Sequence, residues 1–295
     1  MKAVRMSFSL MMMASASVAS ASEGGGSIYP FGVETILPGY MPPPGWHYFN
    51  YTAFVTSDRF NGEDGESVVP EFEFTGLVNA ARIVRVWDRK VLGGQLASGA
   101  TVPVGRVELA TPAFRDSRFT IGDPTIIPVA LGWHGREVHV WASLDIGVPS
   151  GSYEVGRANL SRNAWVIEPN VAVTWFAGPD VVVSAKAVYN HNFENSETDY
   201  NSGEELGVEF AADWSVRPDL AIGVGGFVLE QVSDDEQAGV RISSGNRARA
   251  KAIGPQVRWS PDGRLQLIAK FQQDFDVRNR SENQTLWLQF YTPLG

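Results

Sequence analysis

The sequence predicts an all-β fold, a transmembrane antiparallel β-barrel of about twelve strands that follows a cleaved signal peptide. Three observations carry that expectation. Apolar and polar residues alternate with a period of two through most of the chain. Beyond the amino terminus no stretch approaches the roughly 20 continuous apolar residues that a spanning helix requires. The connections alternate between tight turns and long polar stretches, the asymmetry of an outer-membrane barrel with its turns on the periplasmic side and its loops outside.

At the amino terminus, Lys2 and Arg5 form a short positive region, Met6 to Val18 a largely apolar run, and Ala19-Ser20-Ala21 the small residues that signal peptidase reads. The expected division is a signal peptide over 1–21, a periplasmic segment over 22–45 and a single barrel domain over 46–295. Pro42-Pro43-Pro44-Gly45 is the only proline cluster and precedes the first strand. In lipid every backbone amide needs an internal partner, so a chain with no spanning helix crosses only as a closed sheet. The expected location is the bacterial outer membrane, with its lipid and lipopolysaccharide as surroundings.

Composition excludes several classes. Cysteine is absent, so neither disulfides nor a cysteine metal site contributes. Taking Lys2 and Arg5 from the 24 basic residues leaves 22 against 33 acidic ones, a formal charge of −11. Nucleic acid does not fit as a partner, because phosphate binding needs a basic surface.

Strands are expected near residues 46–57, 72–87, 96–110, 124–132, 137–149, 163–176, 181–193, 204–215, 220–232, 247–259, 264–275 and 284–292. An even count puts both termini on one side. In the second strand Phe72, Phe74, Val78 and Ala80 share a face on which Arg82 also falls, while Ile83 and Trp87 fall on the other. A bulge near Arg82 is the expected cause. In the fifth, Val138, Val140, Ala142, Leu144, Ile146 and Val148 form an apolar row that only Trp141 interrupts from the other face. Trp165 and Trp175 bracket the apolar row of the sixth strand, and with Trp214 they are the expected aromatic girdle. Ala177-Gly178-Pro179-Asp180, Val216-Arg217-Pro218-Asp219 and Ser260-Pro261-Asp262-Gly263 carry tight-turn residues. Polar stretches over 194–203, 233–246 and 276–283 are the long loops.

The same alternation points Glu168, Asn170, Ser184, Lys186, Asn190, Asn192, Glu205, Glu209, Asp213, Lys270 and Gln272 inward, as lumen-lining candidates. Glu205, Glu209 and Asp213 recur along one face at roughly 13 Å intervals, opposite Lys186 on the preceding strand. They either line a path or brace the wall.

Enzyme signatures are scarce, and no cofactor is expected. There is no His-Glu-x-x-His, no phosphate-binding Gly-Lys loop and no Gly-x-Ser-x-Gly. His139 and Ser143 share a face, but four strand residues separate their backbones by roughly 13 Å, too far for a catalytic pair. Acidic clusters at Glu63-Asp64-Gly65-Glu66 and Asp234-Asp235-Glu236 match no calcium-loop spacing and are expected to be solvated loop. No metal site is expected.

Several stretches resemble the meta-pathway phenol degradation family of outer-membrane proteins. They are Leu37-Pro38-Gly39, Gly122-Asp123-Pro124 with Leu131-Gly132-Trp133-His134, Pro149-Ser150-Gly151-Ser152-Tyr153, and Asn159-Leu160-Ser161-Arg162-Asn163-Ala164-Trp165 with Glu168-Pro169. Thr198-Asp199-Tyr200-Asn201-Ser202-Gly203-Glu204, Ile253-Gly254-Pro255-Gln256-Val257 and Phe275-Asp276-Val277-Arg278-Asn279-Arg280 complete the set. The resemblance implies a barrel that admits small hydrophobic or aromatic compounds, and it supplies no catalytic or ligand residues. A barrel without transport, acting through its surface loops, is the second function class. An outer-membrane hydrolase is the third.

Overall fold

The computed structural model describes residues 26–242 and 244–294, so the expected signal peptide lies outside the described residues. Strands form where alternation was read. They are β1 (Gly45–Ser57), β2 (Glu73–Val91), β3 (Gly94–Thr111), β4 (Phe114–Ile121), β5 (Thr125–His134), β6 (Val138–Gly147) and β7 (Val166–Phe176). β8 (Val181–Asn192), β9 (Glu205–Arg217), β10 (Leu220–Gln231), β11 (Arg249–Trp259), β12 (Gln266–Arg278) and β13 (Gln284–Pro293) follow.

Each strand pairs antiparallel with its sequence neighbour. β1 pairs with both β13 and β2, which closes the sheet on itself. The wall has twelve positions, because β4 and β5 share one. β3 gives its first half to β5 and its second half to β4. Sequence reading placed all twelve wall strands and missed β4, whose polar residues Arg115, Asp116, Ser117 and Arg118 gave no apolar row.

The bulge expected near Arg82 does not occur. β1 and β2 pair in unbroken register from Phe74 to Val86, and the shift in β2 lies between Val86 and Lys90. The row holding Phe74, Val78, Ala80 and Arg82 faces inward together with buried Val84 and Val86, whereas Leu77, Ile83 and Trp87 face out. The two faces were read correctly, but they keep their register through Arg82, so the row that carries it is the interior along its whole length and no switch is needed.

Outward rows present Leu206, Val208, Phe210, Ile222, Val224, Ile253, Phe271 and Leu286 to the surroundings, the apolar band of a lipid-facing barrel. Trp165, Trp175 and Trp214 all face outward. Trp175 and Trp214 lie near the tight-turn end with Trp46, Trp87 and Trp259, while Trp165 precedes β7 at the opposite end. The outward-facing tryptophans are therefore concentrated at the tight-turn end.

Candidate functional site: the barrel interior

The chain before β1, expected in the periplasm, runs through the barrel. Ser27 donates to Glu205 at the long-loop end (2.6 Å), Gly32 and Thr35 lie at mid-height, and Gly39 donates to Thr174 (3.0 Å) close to the tight turns. At the bottom His47 of β1 bonds the Pro43 carbonyl (2.8 Å), and the chain turns into the wall. The physical reason is composition. Ile28, Tyr29, Phe31, Val33, Ile36 and Met41 make this segment too apolar to leave in water, and Tyr29, Phe31, Val33 and Met41 are buried.

The segment has no regular structure, so its peptide groups need partners inside the barrel. The inward polar residues supply them. Glu209 accepts the amides of Gly32 (2.5 Å) and Glu34 (3.0 Å). Lys270 donates to the carbonyls of Gly32 (2.6 Å) and Val33 (2.7 Å) and to the Thr35 hydroxyl (3.2 Å). Gln289 donates to the Val33 carbonyl (2.8 Å), and the Thr35 hydroxyl donates to Gln256, which in turn donates to Asp213 (2.7 Å). Asn190 donates to Glu205 (3.0 Å), the same carboxylate that holds Ser27. Ser184 lies beside Thr174 (3.4 Å between hydroxyls), under the Gly39 anchor.

One carboxylate of the segment binds the wall in return. Glu34 forms ion pairs with both Arg82 and Lys186 and accepts from the Tyr51 hydroxyl (3.0 Å). Lys186 also sits 4.4 Å from the centre of the Tyr29 ring, a cation–π contact. Arg82, which looked misplaced in an apolar row, thus has its anion on the segment. Glu168 and Asn170 are buried on the inner face nearby, with Ser143 donating to Asn170 (3.1 Å) and Asp145 (2.7 Å).

Ten of the eleven predicted lumen residues are therefore buried on the inner face, Asn192 being half-buried, and eight of them, all but Glu168 and Asn170, bond the segment or the residues that hold it. Sequence reasoning missed Glu34, Thr35, Arg82, Gln256 and Gln289. For Arg82 a signal existed, since an arginine among inward apolar residues requires a buried anion.

Close approach is built into the backbone. A Cβ on Gly207 of β9 would lie 2.0 Å from the Phe31 ring, and one on Gly39 would lie 2.5 Å from the Thr174 amide nitrogen. Glycine is required at both places for the segment to sit against the wall. A cavity of about 20 Å³, room for about one water molecule, lies beside its upper end.

The loop motifs converge as well. Asp123, 5 % exposed, accepts the amides of Gly151 (3.0 Å), Arg162 (2.6 Å) and Asn163 (3.1 Å) and the Ser161 hydroxyl (2.7 Å), clasping the 148–165 loop onto the wall. Asp235, expected to be solvated, is buried and accepts from Tyr200 (2.5 Å), Gly203 (2.8 Å) and Gln231 (2.7 Å). Its neighbour Asp234 pairs with Arg241 (2.9 Å) and Arg247 (2.7 Å). His139 bonds His134, not Ser143.

The family described as "Putative MetA-pathway of phenol degradation" matches residues 57–290. Among solved structures, an outer membrane channel from Pseudomonas putida F1 is 18% identical and superposes with a TM-score of 0.77 over 86% of this chain and 97% of that one. The translocator domain of the autotransporter NalP from Neisseria meningitidis is 8% identical, with a TM-score of 0.52 over 85% of this chain and 89% of that one. The β domain of the Bordetella autotransporter BrkA is 9% identical, with a TM-score of 0.51 over 85% and 100%. No curated protein matches in sequence. The fold is that of an outer-membrane β-barrel.

Proposed function

The chain belongs to the phenol-degradation family just described, and from that premise we propose that it is a gated channel for the passive uptake of small hydrophobic or aromatic compounds across the outer membrane. The observation that carries this reading is the apolar content of the interior. A water-filled channel has a polar inner wall. Here Tyr29, Phe31 and Val33 of the segment pack on Tyr51, Val188, Phe227, Leu229 and Trp287 of the wall, and Met41 packs on Val84, Val86 and Ile127 lower down. A neutral aromatic solute offers those wall residues the same contacts that the segment's rings now make. The segment is the part to be displaced, because it is held by side-chain bonds and contributes no strand to the sheet.

A barrel that does not transport is the second reading, favoured by the filled interior. Flux separates the two. Proteoliposomes should admit a phenolic solute faster than protein-free vesicles, and faster relative to a sugar of similar size. Equal phenolic flux with and without the protein would remove the channel reading and leave the structural one.

A further inference from the structure

The tight-turn mouth holds a pair of histidines that the channel reading does not use. His134 ends β5 and His139 is the second residue of β6, and the two are direct cross-strand partners across the turn over 135–137. Residues paired this way project to one face with their Cβ atoms about 5 Å apart. Both rings lie on the lumen side, where Tyr40 of the internal segment packs edge-on against them at 5.5 and 4.8 Å between ring centres. Phe176 closes the far side of His139 at 5.3 Å. His134 is exposed, so the pair is reachable from the mouth.

The nitrogens are already together. Nδ1 of His134 and Nδ1 of His139 are 2.8 Å apart. We propose that His134 and His139 form a two-imidazole binding site for a late first-row divalent cation, Cu²⁺ or Ni²⁺, at the tight-turn mouth of the barrel. Metal–imidazole bonds are about 2.0–2.1 Å long. Two such bonds across the observed separation enclose an angle of about 86°, whereas a tetrahedral angle needs nitrogens about 3.3 Å apart. The spacing therefore suits the cis positions of a tetragonal ion, the geometry of Cu²⁺ and Ni²⁺, and not tetrahedral Zn²⁺. Copper also stands highest in the affinity order for nitrogen ligands.

At present one Nδ1 must donate a proton to the other. Metal binding needs both lone pairs, so the donor ring moves its proton to Nε2. The remaining positions of the ion go to water. Above the range in which imidazoles titrate, the site fills with no net proton release.

Copper titration of the full-length folded protein in detergent, followed by electron paramagnetic resonance, tests the site. Wild type should show hyperfine splitting from two equivalent nitrogens at the first equivalent of Cu²⁺. His134→Gln and His139→Gln should each abolish the two-nitrogen pattern, while His191→Gln should keep it. Retained heat-modifiability on electrophoresis establishes that each variant is folded. A wild-type spectrum without nitrogen splitting would overturn the proposal. So would a two-nitrogen spectrum that survives in the His134→Gln/His139→Gln double variant, because the copper would then sit elsewhere.

Discussion

Glu34→Gln should loosen the internal segment while leaving the barrel intact. Glu34 forms ion pairs with both Arg82 and Lys186, and the Lys186 side chain is only 4% exposed. Removing one partner of a buried ion pair costs roughly 3–5 kcal/mol. Glu34 and Arg82 retain some solvent contact, so the lower figure, about 3 kcal/mol, applies. At 1.4 kcal/mol for each factor of ten, the displaced state becomes about a hundredfold more populated. The sheet itself keeps every strand pairing, because Glu34 belongs to no strand. The chain has no cysteine, so a single thiol reports cleanly. Ser184→Cys places that thiol on the wall beneath the segment, at a position now 2% exposed. Its reaction with a water-soluble thiol reagent should be about a hundred times faster in the Glu34→Gln background. An unchanged labelling rate, in a barrel that still resists heat, would refute the idea that this ion-pair cluster holds the segment.

Three further outcomes follow from the same geometry. Ala142→Arg, on the outer face of β6, should destabilise folding into bilayers by roughly 2–4 kcal/mol if it lies near the midplane, and Ser143→Arg on the inner face by clearly less; denaturant titration in liposomes measures both. Asp123→Ala strips four hydrogen bonds from the 148–165 loop. That loop should become the first site of proteolytic nicking, while the melting of the sheet stays close to wild type. Epitope tags at Gly239, which has open space around it, should be labelled on intact cells, whereas tags at Gly178 or Gly263 should be labelled only after permeabilisation; the opposite pattern would invert the topology. Asn195 and Asp235, although they lie in the long loops over 194–203 and 233–246, are buried and unsuitable for insertion.

The wall was legible in the sequence because one physical constraint acts on every strand. Alternation, turn chemistry and loop length all follow from a sheet with a lipid face and an inner face. Glu205, Glu209 and Asp213 could therefore be assigned inward without coordinates. Their task could not. A carboxylate facing a lumen has the same local pattern whether it meets water or a peptide amide, and the amides that Glu209 holds lie 177 and 175 residues earlier in the chain. The internal segment has no period to detect, since its backbone is shaped by the wall around it. Its one sequence signal was an apolar, aromatic run where a periplasmic linker would be polar. The bulge expected near Arg82 in β2 failed for a related reason, because alternation identifies two faces without saying which of them meets lipid, and an inner face can itself be apolar where the segment packs on it.

The central claim is that solute passes only when the segment over 26–44 moves from the lumen. Thr35 and Gln256 face each other across the segment–wall contact, with side-chain oxygens 2.9 Å apart. A Thr35→Cys/Gln256→Cys variant joined by a short thiol cross-linker fixes the segment in place without touching the mouth or the loops. Phenolic flux through proteoliposomes of the cross-linked variant should fall to that of protein-free vesicles, while the same variant left unjoined keeps its flux. Undiminished flux through fully cross-linked protein would contradict the claim.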